Sequence, residues 1–197
     1  MGKIFYIMGK SSSGKDSLFK EIKKRMPELK DIVLYTTRPI REGERDGVEY
    51  HFVNEDVLRK LEEKGCVIEQ RAYHTKCGIW RYFTADDGQI NLKGEDYLVI
   101  GTLESYEAMK KYFGEKVVIP LYVEVEDGLR LSRALERERQ QAKPKYAEMC
   151  RRFLADSEDF SEENLEKAGI GKRFENVDFE RCIAEMMEFI EKQEVCM

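Results

Sequence analysis

Long apolar runs are missing from this chain. No stretch approaches the roughly 18 consecutive apolar residues that would suggest a membrane-spanning helix. The opening MGKIFYIMGK carries a short apolar run that soon meets a Gly/Ser/Lys cluster, without the longer apolar region and small-residue cleavage site of a signal peptide. Gly2 invites a myristoylation reading, but the Ser or Thr required at position 6 is Tyr6. The expectation is a cytoplasmic protein with no membrane partner.

Histidine is equally scarce: only His51 and His74 are present, too few for a His-rich metal site. The 5 cysteines (66, 77, 150, 182 and 196) are odd in number and include no CxxC pair. That argues against a disulfide framework or a zinc knuckle and fits isolated thiols. Excess positive charge is missing too. With 39 acidic against 34 basic residues the formal charge is −5, so a broad surface for nucleic acid is not expected. Any anion site has to be local, built from geometry and a few placed arginines. The 197 residues, 42% hydrophobic and 37% charged, suit a single globular domain with small inserts.

What is present is organised as an α/β chain. Lys3 to Met8 reads as an apolar strand, followed by a Gly/Ser loop and a helix over 15–26 in which Leu18, Ile22 and Met26 recur every four residues before Pro27 stops it. Asp31 to Thr36 and Glu49 to Val53 read as further strands, 56–64 as a helix ended by Gly65, and 67–84 as a small hairpin region. The turn-rich stretch 85–94 reads as a loop. Tyr97 to Gly101 and Val117 to Val123 have the continuous β-branched character of buried parallel strands, each feeding a helix, 103–112 and 128–139. A charged stretch over 133–162 breaks near Lys143 and Pro144, and a last helix over 178–192 presents Phe179, Ile183, Met186, Met187 and Ile190 on one face. The expected architecture is a parallel-sheet core (1–34, 86–132 and 161–197) carrying an insert at 35–85 and a helical lid at 133–160.

Gly9-Lys10-Ser11-Ser12-Ser13-Gly14-Lys15 matches GxxxxGK, directly after a strand and opening a helix, which is the context the Walker A phosphate loop requires. Successive backbone N–H groups, small residues and a helix N-terminus meet the concentrated charge of a triphosphate, and Lys15 adds a mobile cation. Gly9, Ser11, Ser12, Ser13, Gly14, Lys15, Asp16 and Ser17 are therefore candidates for binding ATP. Asp16 stands where the pattern has a Ser or Thr hydroxyl for Mg²⁺, and Ser17 follows one position later, so both are candidate metal ligands.

A second polar segment, Thr36-Thr37-Arg38-Pro39-Ile40-Arg41-Glu42-Gly43-Glu44, leads to Gly47, Tyr50 and Phe52. Two arginines three residues apart, beside hydroxyls, suit a fork-like grip on a phosphate. Here the chain resembles the guanylate kinases, whose T-T-R-x-x-R-x-G-E-x-x-G-x-x-Y-x-F segment it retains in full. The resemblance implies a P-loop nucleotide kinase fold with acceptor-binding insert and lid. It also implies transfer of the γ-phosphoryl group of ATP, with Mg²⁺, to a nucleoside monophosphate, GMP first. Arg38 and Arg41 would clamp the acceptor phosphate, Glu44 and Tyr50 would stand beside them, and Glu69 would lie near the guanine. The family's R-x-x-x-R lid pattern falls on Arg133 and Arg137, and its later lid arginine on Arg152; these three, with Lys15, are the candidate catalytic residues. Asn176 matches a position beside the adenine.

The chain departs from the family in the base pocket. A serine position is Leu34, the Tyr-Tyr-Gly-Thr after Glu69 is absent, with Cys77-Gly78, Trp80 and Tyr82 nearby, and L-D-I-D-x-Q-G becomes Val99 to Ser105, where Thr102 replaces a carboxylate as a candidate contact to the base. These departures leave room for another phosphorylated acceptor, such as ribose 1,5-bisphosphate, or for a non-catalytic binding domain. Small-molecule nucleotides are the expected partners, and a monomer or weak homodimer the expected assembly.

Overall fold

The computed structural model describes residues 1–75 and 78–195. Its core is a fully parallel sheet built around β1 (Ile4–Met8), whose burial is complete on both faces. The strand alternates as its pleat requires: Ile4, Tyr6 and Met8 enter one apolar cluster and Phe5 and Ile7 the other. In chain order the elements that follow are α1 (Lys15–Arg25), β2 (Lys30–Asp31), β3 (Tyr35–Thr36), β4 (His51–Phe52), α2 (Glu55–Glu63), β5 (Val67–Thr75), β6 (Gly78–Ala85), β7 (Tyr97–Ile100), α3 (Leu103–Phe113), β8 (Val118–Glu124), α4 (Asp127–Arg139), α5 (Tyr146–Asp159), α6 (Glu162–Lys167), β9 (Arg173–Glu175) and α7 (Phe179–Val195).

The core sheet runs β2-β7-β1-β8-β9, with β7 and β8 flanking β1 in parallel. Leu18 and Ile22 of α1, with Met26 just after it, join Ile183, Met186 and Ile190 of α7 over one face. Leu103, Tyr106 and Met109 of α3 and Leu165 of α6 cover the other. Helices on both faces of a parallel sheet explain why β7 and β8 read as unbroken apolar runs. A second sheet, β4-β3-β6-β5, occupies the insert around Tyr35, Leu58, Phe83 and Ala85.

Several readings change. The stretch 31–36, expected as one strand, divides between the two sheets, β2 pairing with β7 and β3 with β4 and β6. Between them Val33 N–H donates to the Gln89 side chain and Leu34 C=O accepts from His51 N–H, so the segment bridges core and insert. The strand at 49–53 shortens to His51–Phe52, whose outer edge is closed by the Asp46 carboxylate accepting Phe52 N–H. α6 and β9, which follow the charged stretch, were not legible; β9 is fixed by its pairing to β8, which no local pattern announces. The lid boundary at 133 falls inside α4, which is continuous from Asp127.

Cys66, Cys150 and Cys182 are free thiols, while Cys77 and Cys196 lie outside the described residues. No helix among the described residues is long and apolar enough to cross a membrane. Ile22 is fully buried between sheet and α7. Ile22→Ala is expected to lower the unfolding free energy by about 2–5 kcal/mol, read as a lower urea midpoint at unchanged slope.

Candidate functional site

The phosphate loop leaves β1 where β8 and β9 end, and its glycines are imposed by contact. A Cβ at Gly9 would stand 2.5 Å from the Val123 carbonyl oxygen. Gly14 caps α1 in the left-handed conformation (φ 86°), and a Cβ there would meet Asn176 Nδ2 at 2.4 Å. That same Asn176 side-chain amide donates to Ser13 C=O at 2.8 Å, and the Asn176 backbone C=O accepts from Arg133 Nη2 at 3.0 Å. Asn176 and Arg133 thus brace the loop from behind; the structure gives Arg133 a loop-supporting contact.

Ser12 holds a left-handed φ of 65°, a conformation that non-glycine residues adopt at some cost. The hydroxyls of Ser12 and Ser13 are buried without a partner among the described residues. α1 has no side-chain cap, and in its first turn Ser17 N–H returns to Gly14 C=O. Unpartnered hydroxyls on a glycine-shaped turn that opens a helix are donors a polyphosphate satisfies. Lys15 Nζ lies 3.6 Å from Asp16 Oδ2, and both residues line a cavity of about 880 Å³. Ser17 is exposed and does not line it. Of the two metal candidates, Asp16 presents a carboxylate oxygen, the ligand type Mg²⁺ takes, to the cavity.

A buried arginine unexpected from the sequence joins loop and lid. Arg130 is 1% exposed and lies with its guanidinium 4.0 Å from the Phe153 ring centre. It donates to Asp127 Oδ1 at 3.0 Å and, more distantly at 3.4 Å each, to Ser11 C=O and Asp156 Oδ2. Asp156 in turn accepts Ser11 N–H at 2.8 Å, so α5 is tied to the loop's backbone. In a charged helix only the Asp127/Arg130 spacing hinted at this pair.

On the acceptor side Arg38 is 4% exposed. Its guanidinium forms two short bonds with Glu44, 2.7 Å to Oε2 and 2.6 Å to Oε1, and lies against the rings of Tyr50 and Phe52. Glu44 also accepts Arg41 N–H at 2.9 Å. The Arg38 bond, followed by that backbone donor, holds the Glu44 carboxyl down to about 2. Glu44 is therefore the partner that orients Arg38. Burial raises the Tyr50 phenol, which lines the large cavity with Leu34.

Glu69 and Thr102 come together through a residue the sequence reading passed over. Arg71, two positions beyond Glu69 on the same face of β5, donates to both Glu69 oxygens (3.0 and 3.3 Å) and to Thr102 Oγ1 (3.1 Å). The period-2 spacing was the available signal. Thr102 also caps α3 in a capping box with Ser105.

Arg137 and Arg152 line a narrow crevice with Ser11 and Ser12 of the loop. They also line a cavity of about 420 Å³ with Arg41, Lys143 and Lys145. Arg152 lies 3.8 Å from Glu148 Oε1, whereas Arg151 takes that carboxylate in two bonds. The lid cations therefore stand between the phosphate loop and Arg41.

Parallel sheet, phosphate loop, acceptor insert and arginine-bearing lid define a P-loop kinase fold. The profile of the guanylate kinase family matches residues 1–78. Guanylate kinase of Thermotoga maritima is 32% identical over 142 residues, 70% of this chain and 67% of that one. Guanylate kinase of Syntrophotalea carbinolica is 31% identical over 133 residues, covering 66% and 62%. The chain belongs to the guanylate kinase family, as a divergent member. The matches to the first curated relatives span about half to two thirds of their lengths. In fold, the chain is similar to the crystal structure of guanylate kinase from Anaplasma phagocytophilum, with a TM-score of 0.66 and 16% identity over 98% of this chain and 86% of that one.

Since the Glu44 carboxyl falls from an ordinary 4.5 to about 2, its ion pair contributes full stability above pH about 4.5 and loses it as pH drops towards about 2. The stability difference between wild type and Glu44→Gln, from urea unfolding at stepped pH, should be constant above that window and shrink within it.

Proposed function

We propose that this chain transfers the γ-phosphoryl group of ATP to a nucleoside monophosphate, with GMP as the first acceptor to test. The observation that carries this reading is the shared position of Arg137 and Arg152, which line both the crevice at Ser11 and Ser12 and the cavity at Arg41. Cations contributed by the lid and the acceptor segment, 96 or more residues apart in the chain, outnumber the Glu138 and Glu148 carboxylates around that cavity, which leaves it net positive and suited to an anion.

In the reaction an oxygen of the acceptor phosphate attacks the γ-phosphorus, the bond from that phosphorus to the β–γ bridging oxygen breaks, and the electron pair leaves with ADP. The attacking oxygen already bears charge, so no side-chain base is needed. The chain's part is positioning and charge neutralisation. The loop amides and the Ser12 and Ser13 hydroxyls would hold the ATP phosphates, and Lys15 would reach the outer ones. Arg38, held rigid by Glu44 and the Tyr50 and Phe52 rings, and Arg41 would fix the acceptor phosphate. Arg137 and Arg152 would meet the charge of the transferring group while the lid excludes water. Asp16 is the residue that would hold Mg²⁺, which would supply positive charge to offset that of the phosphates.

The aromatic wall of the large cavity, Tyr73, Trp80 and Tyr82, supports a planar base over a sugar phosphate as the remainder of the acceptor. The test is turnover with ATP and Mg²⁺ against GMP, dGMP, AMP and ribose 1,5-bisphosphate. Phosphorylation of the sugar bisphosphate alone, or of nothing, overturns the proposal. Lys15→Ala should fold normally yet lower kcat by about 10²-fold or more at saturating substrates. Arg38→Ala should raise the acceptor KM sharply while leaving the KM for ATP nearly unchanged.

A further inference from the structure

The base end of the cavity presents a guanidinium where a carboxylate was expected. Glu69 is nearly buried, its side chain 6% exposed. Its Oε1 accepts from Thr84 Oγ1 at 2.7 Å and from Arg71 Nη2, and its Oε2 accepts from Arg71 Nε. Arg71 lines the large cavity and Glu69 does not. The Thr102 hydroxyl is also engaged, accepting from Arg71 and from Ser105 N–H. The two groups expected to read a base are thus satisfied within the protein, and both are satisfied by the same side chain.

Counting donors shows what remains. A guanidinium carries five N–H bonds. Arg71 commits its Nε–H and one Nη2–H to Glu69 and one Nη1–H to Thr102. One N–H on each terminal nitrogen has no acceptor among the described residues. Burial works against the Arg71 charge, and the Glu69 carboxylate more than offsets it, so the donors are permanent. The pair is neutral overall, which removes the electrostatic demand for a second anionic group on the ligand. The cavity beside it is bounded by Leu34 and Ile100 and by the rings of Tyr73, Trp80 and Tyr82, surfaces that suit a flat ring.

We propose that Arg71 is the specificity-determining residue of the acceptor site and reads the O6 and N7 acceptors of a 6-oxopurine nucleotide. This rests on the nucleoside monophosphate reading above. Two adjacent acceptors on one ring edge match a guanidinium fork in two bonds. Adenine sets an amino donor beside its N7 and so opposes one donor with another. The guanine 2-amino group gains nothing from Arg71. The two carboxylates that line the cavity are otherwise engaged, Glu148 by Arg151 and Asp16 beside Lys15. GMP and IMP are therefore treated nearly alike, and both are separated from AMP.

The test begins with the wild-type protein and substrate analogues, so that folding plays no part. We expect kcat/KM for IMP to lie within about threefold of GMP, that for 7-deaza-GMP to fall by about 10-fold, and that for AMP to fall by about 100-fold, the last two from lost or opposed hydrogen bonds. Arg71→Lys keeps a cation beside Glu69 but loses the fork. It should raise the KM for GMP by about 10-fold with a much smaller change in kcat, and narrow the GMP to AMP ratio. A purely structural Arg71 would lower turnover for every acceptor alike and leave the ratio intact. Equal use of GMP and 7-deaza-GMP overturns the assignment to Arg71 while nucleotide phosphorylation still stands. So does an IMP value more than about 30-fold below GMP, since an engaged 2-amino group would then carry the reading. Phosphorylation of ribose 1,5-bisphosphate and of no nucleotide overturns the underlying function instead.

Discussion

The close approach of the phosphate loop to the ends of β8 and β9 governs the rest of the site. Gly9 lies against the Val123 carbonyl and Gly14 against the Asn176 amide, so the loop's curvature is set by backbone contact. Because Asn176 follows β9 directly and bonds Ser13 C=O, the last strand of the sheet fixes the first loop of the chain. The loop amides and hydroxyls are thereby oriented before any ligand arrives, which lowers the reorganisation needed when charge is bound. Arg130 and Asp156 extend that constraint to α5, so the lid is built from the loop outwards.

The acceptor side solves a different problem, that of keeping arginines in a buried site without a standing excess of charge. Arg38 and Arg71 are each paired in two bonds with a glutamate, Glu44 and Glu69. Such pairing offsets the cost of desolvating each guanidinium and fixes its plane, leaving only particular N–H groups for a ligand. Arg41, Arg137 and Arg152 are by contrast exposed. Paired arginines hold a fixed plane, whereas exposed ones keep side-chain freedom until a ligand engages them.

Much of the fold was open to inference from the chain. β1, β7 and β8 announced themselves by apolar β-branched runs, and α1 and α7 by their spacing, because each depends on a face that repeats locally. The division of 31–36 between two sheets was hidden because its residues suit a strand equally well on either side. α6 and β9 were hidden because six and three residues carry no usable period.

For the site, the same distinction holds at the level of single residues. The sequence by itself determined the phosphate loop and the Thr36 to Phe52 segment, since neighbouring residues make each, and spacing is then nearly geometry. The bonds that join these segments to the rest of the site come from tertiary contacts alone. Arg71 meets Thr102 across 31 positions, Ser11 meets Asp156 across 145, and Asn176 meets Ser13 across 163. Bonds at such separations leave no periodic trace, and a charged residue that ends up buried and paired has the same local surroundings in sequence as one that stays in water.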